Sequence, residues 1–104
     1  MQRKAFKMKL KPGVVEEYKK RHDEIWPELQ KELQAAGICD YSIFFDEETS
    51  TLFATQKLSD NHSASGLRHL PLMQKWWDYM APLMEVHADN SPVERPLVEV
   101  FHLD

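Results

Sequence analysis

Two short segments of this chain, Tyr41 to Phe45 and Thr51 to Lys57, carry apolar side chains on both sides of an extended backbone. Successive residues of a strand point to opposite faces. Ile43 and Phe45 therefore oppose Phe44, and Leu52 and Ala54 oppose Phe53. A sheet with one solvated face alternates cleanly between apolar and polar, and these strands do not. Both faces must be covered. The polar run Asp46-Glu47-Glu48-Thr49-Ser50 between the segments has the length and composition of a hairpin loop.

The flanking chain supplies helices for only one of those faces. Arg3 to Leu10 alternates, with Phe6, Met8 and Leu10 against Lys7 and Lys9, as a half-buried strand does. Pro12-Gly13 interrupts it. Val15, Tyr18, His22, Ile25, Trp26, Leu29 and Leu33 then follow with helical spacing. Pro27 lacks an amide hydrogen and restricts Trp26, so the helix is expected to stop or kink there and restart. Gly37 is a natural stop. Ser59 to Gly66 suggests a short helix capped by Ser59. Pro71 opens a stronger helix through Met73, Trp76, Trp77, Met80 and Leu83 or Met84. Asp89-Asn90-Ser91-Pro92 reads as a turn, and Leu97 to Leu103 as a last strand. The order strand, helix, strand, strand, helix, strand is the split βαβ, ferredoxin-like α+β pattern. Its helices cover one sheet face, so a second copy of the chain is expected on the other, making a homodimer.

A length of 104 residues suits a single domain spanning residues 1–104. The net charge of −4 argues against nucleic acid as a partner. No apolar run approaches a membrane span, and no signal-peptide core follows Met1-Gln2-Arg3-Lys4. Cys39 is alone and cannot form an intrachain disulfide, which fits a reducing cytoplasm. A soluble, cytoplasmic protein is expected.

Candidate chemistry centres on Tyr18 and His22. Residues four apart share a helix face, and imidazole, with an unperturbed pKa of about 6.5, suits proton transfer near neutrality. The plain alternative is an amphipathic helix with a structural histidine. Trp76-Trp77 places two indoles roughly 100° apart on a helix. They are either core residues or the apolar wall of a cavity, where flat rings suit the C–H surface of a sugar. Tyr41, opening the second strand, is explained by packing or by a substrate hydroxyl. His62, His69, His87 and His102 lack metal-ligand spacing, and no glycine-rich phosphate loop is present. No cofactor or metal is therefore expected.

Taken together, Tyr18-Lys19-Lys20-Arg21-His22-Asp23-Glu24-Ile25-Trp26-Pro27-Glu28, Tyr41-Ser42-Ile43, Lys75-Trp76-Trp77, Asp89-Asn90-Ser91-Pro92-Val93 and Glu99-Val100-Phe101 resemble the signature of the L-rhamnose mutarotases. The motifs stand in that family's order and spacing across essentially the whole chain. The resemblance implies a dimeric α+β barrel that interconverts the α and β anomers of L-rhamnose without a cofactor. It also implies His22 as proton donor and Tyr18, Tyr41, Trp76 and Trp77 as sugar-binding residues. Cys39-Asp40 departs from the His-Asn pair common before the tyrosine, which bears on the orientation of Tyr41. Asp60 to Leu70 lacks the acidic, tryptophan-bearing helix of some members. Two alternatives use the same aromatic pocket or barrel: a non-catalytic module that binds 6-deoxy sugars, and a cofactor-free monooxygenase.

Overall fold

A computed structural model describes all residues, 1–104. Its elements are β1 (Gln2–Lys9), α1 (Val15–Asp23), α2 (Pro27–Ala35), β2 (Ile38–Asp46), β3 (Thr51–Leu58), α3 (Pro71–Met80) and β4 (Arg95–Pro96). The four strands form one sheet in the order β2-β3-β1-β4, and every neighbouring pair is antiparallel. That is the expected ferredoxin-like α+β fold.

The two halves of the long helical pattern separate where Pro27 demands it. Trp26 adopts extended angles (φ −60°, ψ 129°), and Pro27 begins α2. The residue before a proline is pushed out of the helical region. Within α1, Glu16 and Glu17 lie in the first turn and Lys20, Arg21 and His22 in the last, complementing the helix dipole. Chain reversal after α2 uses Gly37 at φ +91°. A Cβ there would collide with Ser59 Oγ and sit 3.2 Å from His62 Cα. At this crossing the Ser59 amide donates to the Gly37 carbonyl, and the Ser63 amide to that of Ala36, both at 2.9 Å.

The core lies between the sheet and the helices. Phe6, Met8, Leu52 and Ala54 on the sheet meet Tyr18, Leu29, Trp76, Met80, Leu83 and Met84. A smaller cluster of Ala36, Ile38, Leu58 and Leu67 closes the end near Gly37. No helix is long and apolar enough to cross a membrane.

Three expectations are corrected. The second strand begins at Ile38 rather than Tyr41, because a register shift between Cys39 and Ser42 lets pairing start earlier. The weakly patterned stretch forms a 3₁₀ helix over Ala64–His69. Ser59 does not cap it, since that residue is committed to the Gly37 crossing. The last strand is only Arg95–Pro96. Beyond it the Leu97 amide still donates to Ala5 at 2.9 Å, and Arg3 holds Glu99 through two hydrogen bonds of 3.1 and 2.7 Å. Residues 97–104 otherwise have no regular structure. Their alternation signals a strand, but β1 offers them no continued pairing, and Pro96 contributes no amide hydrogen.

Candidate active site

The last turn of α1, the Trp26 bend and α3 enclose a continuous aromatic cluster around His22. The His22 ring lies 4.3 Å from that of Tyr18, tilted by 31°, as the four-residue spacing requires. Trp76 meets His22 edge-on at 5.4 Å and 85°. Trp26 meets Trp76 at 5.0 Å and 86°. Tyr79 packs on both indoles, at 5.6 and 5.7 Å. Arg21 ties the two helices together. Its guanidinium lies 4.3 Å from the Tyr79 ring centre, donates to the Tyr79 carbonyl and pairs with Glu17 at 2.7 Å.

Hydrogen bonding fixes the histidine's chemistry. His22 Nδ1 lies 3.1 Å from the Tyr18 backbone carbonyl. A carbonyl only accepts, so Nδ1 carries the hydrogen and Nε2 is the nitrogen free to gain or lose a proton. Burial lowers the His22 pKa below 6.5, against the opposing pull of the Tyr18 carbonyl and of Asp23. The Tyr18 phenol is buried, and its pKa is raised by desolvation and by the proximity of Tyr41. It stays protonated and able to donate a hydrogen bond.

Tyr41 approaches from the sheet. Its ring is edge-on to Phe6 at 6.5 Å and 66°. Immediately before it, Asp40 occupies the left-handed region at φ +48°, inside the irregular stretch of β2. That conformation is uncommon for a residue with a Cβ, and Asp and Asn tolerate it best. Asp40 also pairs with Lys57 at 3.4 Å. The Tyr41 pKa is pushed up to about 12, first by desolvation, then by the charge of Glu94, with Gln56 opposing. The residue is nonetheless 39 % exposed. Glu94, at the entrance to β4, has a raised pKa through burial, moderated by Lys4.

On α3, Trp76 is buried and Trp77 half-buried. The following Asp78 accepts hydrogen bonds from Gln74 (2.9 Å) and Asn90 (3.0 Å), which hold its carboxyl below the usual range. Gln74 also donates to the Asp89 carbonyl at 2.8 Å. This network pins the turn after α3 to the helix carrying both tryptophans. No three His, Cys, Asp or Glu side chains converge as a metal-ligand set.

The family model described as L-rhamnose mutarotase matches residues 3–103. A curated L-rhamnose mutarotase from Phocaeicola vulgatus is 57 % identical over 104 residues, covering all of both chains. One from Flavobacterium johnsoniae is 58 % identical over 102 residues, covering 98 % of this chain and 95 % of that protein. The crystal structure of an L-rhamnose mutarotase from Formosa agariphila superposes with a TM-score of 0.93 at 51 % identity, covering both chains completely.

The chain belongs to the L-rhamnose mutarotase family.

Of the five residues that the family resemblance singles out, the structure gathers Tyr18, His22 and Trp76 in direct ring contact. Tyr41 comes near Tyr18 from the facing strand, and Trp77 lies one residue beyond Trp76. Trp26 and Tyr79 complete the mutarotase cluster but were not among the expected site residues. Helical spacing was the available signal for both. Trp26 follows His22 by four, and Tyr79 follows Trp76 by three.

Proposed function

We propose that this chain interconverts the α and β anomers of L-rhamnose, with His22 as proton donor and Tyr18, Tyr41, Trp76 and Trp77 holding the sugar. The observation that carries the reading is the locked imidazole, bonded through Nδ1 to the Tyr18 carbonyl, free at Nε2, and wedged between Tyr18 and Trp76. Ring opening needs a proton at the ring oxygen as the bond from C1 to that oxygen breaks, while the C1 hydroxyl gives its own to water or a neutral base and becomes a carbonyl. Rotation about C1–C2 and reclosure on the other face complete the exchange. An imidazolium whose pKa is lowered by burial is a stronger acid than a free one, so it suits delivery to a weakly basic ether oxygen. The protonated phenols of Tyr18 and Tyr41 can donate to sugar oxygens. The indoles offer apolar surface to the ring and to the C6 methyl of a 6-deoxy sugar.

The same reading includes a cytoplasmic protein working as a homodimer. Phe44 is 64 % exposed and Phe53 36 % exposed on the sheet face that the helices leave uncovered, and a second copy would cover it.

Saturation transfer between the two anomeric proton signals of L-rhamnose measures the exchange directly. The wild type should accelerate it. His22→Ala should reduce the catalysed rate by about 10²–10⁴-fold, the usual worth of a positioned acid–base group. Absence of acceleration by the wild type would overturn the assignment.

A further inference from the structure

We propose that Arg21 is a positioning residue for anomer exchange, a clamp between α1 and α3 that sets the aim of His22 at a sugar held by Trp76 and Trp77. The inference rests on the mutarotase reading above and adds the contact that keeps its proton donor in line.

Arg21 has an uncommon set of partners for a cation on a helix. Two residues earlier on α1, the Lys19 side chain is 75 % exposed in its pair with Asp23, whereas that of Arg21 is only 20 % exposed. Its Nε donates to Glu17 Oε2 at 2.7 Å, one turn back. Its Nη1 donates to the Tyr79 carbonyl, and the guanidinium carbon lies 4.3 Å from the centre of the Tyr79 ring. Tyr79 stands in the last turn of α3, where carbonyls run out of amide partners, and Pro82, three residues on, has no amide hydrogen to offer. A cation is also favoured at that end of a helix. The planar fork of arginine serves Glu17 and the carbonyl at once, which the point charge of a lysine does not reproduce.

The place of this clamp gives it a consequence for the chemistry. It supplies the only hydrogen bond between α1 and α3. His22, the next residue, meets Trp76 at 5.4 Å, and Tyr79 follows Trp76 by three. Neighbouring residues of α1 thus engage residues one turn apart on α3. Two such points fix the spacing of the helices and the rotation of one against the other. Tyr79 also backs the indoles of Trp26 and Trp76, at 5.6 and 5.7 Å. Apolar contacts of this kind are non-directional, and the charge-assisted hydrogen bond adds the direction they lack. The Tyr18 carbonyl ties the imidazole to α1, whereas Trp76 and Trp77 belong to α3. How Nε2 points at a sugar on those indoles therefore depends on how the two helices sit together.

The test compares the wild type with Arg21→Ala and Arg21→Lys by saturation transfer over a range of L-rhamnose concentrations, well below each protein's thermal midpoint. Arg21→Ala should lower kcat by about 10–100-fold and leave KM within about 3-fold, since proton delivery depends on one atom while several rings share the hold on the sugar. Arg21→Lys, which keeps the charge and loses the fork, should still lower kcat by about 5-fold. The carbon-bound protons of the His22 ring provide a readout independent of activity. Their NMR signals, displaced by the ring of Trp76, should shift in both variants. Wild-type kcat in either variant, a loss confined to KM, or unmoved His22 signals would overturn the inference. If Arg21→Ala does not fold, Arg21→Lys decides by the same two readouts. A wild type that fails to accelerate exchange would overturn the mutarotase reading, and the His22 signals alone would then decide whether Arg21 sets the ring geometry.

Discussion

On the helix side of the sheet, Phe6, Met8, Leu52 and Ala54 are each no more than 5 % exposed. On the opposite side, Phe53 is open although it stands between Leu52 and Ala54 on β3, and so is its cross-strand neighbour Phe44 on β2. The first face is finished within one subunit. Its side chains are enclosed, and its one titratable imidazole has a defined tautomer. The second has the composition of an interior and the exposure of a surface. Burial within the chain accounts for only one of the two faces.

The sharpest way to break this contrast is a pair of truncations, one on each face. Leu52→Ala, at a position 1 % exposed, should cost about 2–5 kcal/mol in denaturant unfolding, the usual range for a buried leucine. Phe44→Ala should leave the single subunit within about 0.5 kcal/mol of the wild type. Any larger loss should depend on protein concentration, as linkage to association requires. Equal, concentration-independent losses at both positions would show that the two faces do not differ.

A second test probes the finished face through pH. Burial favours neutral His22, so its imidazolium is the minor form at pH 7 and declines tenfold per pH unit above its pKa. If that form is the proton donor, the catalysed exchange rate falls as pH rises from about 6 to about 8. A rate that is flat or rises would assign the neutral ring as a base instead. The same lowered pKa has a consequence for stability, with a definite sign. The unfolded chain binds the proton more readily, so the contribution is complete above the unfolded value of 6.5 and is lost as pH falls through the folded one. Removing the ring by His22→Phe should flatten that part of the stability profile.

The smallest effect concerns the edge where the two faces meet. Asp40→Asn should change stability by less than about 0.5 kcal/mol, since Asn tolerates φ +48° as well as Asp and the Lys57 pair is exposed. Asp40→Val should cost about 1–3 kcal/mol, because a β-branched residue is poorly accommodated there. Thermal unfolding of the two variants distinguishes backbone conformation from charge as the reason for an acidic residue at this point.

Much of this architecture was legible in the sequence, because period and punctuation carry it. Alternation marked β1 and β3, the proline at position 27 divided α1 from α2, and the apolar residues on both strand faces announced the uncovered one. The spacing of Tyr18 and His22 translated directly into ring contact. Long-range features were not legible. No local signal reveals that Tyr79 returns to Trp26, or that Glu94 lies near Tyr41, since these depend on how separate elements pack. Residues 97–103 carry a misleading signal for a related reason. Their alternation is that of a strand, but pairing depends on a neighbour, and the subunit supplies one only as far as Leu97.

Gly37 gives the fold a fixed point in mutational space. A substituted residue there must adopt φ +91° and also displace the Ser59 hydroxyl and crowd His62, so two independent penalties fall on any side chain, alanine included. Relaxing one does not relieve the other. In a saturation library selected for folded protein, position 37 should admit glycine only. Gly66, whose Cβ would meet open space, should drift freely, so that of two glycines with the same chemistry one is a constraint and the other an accident of descent.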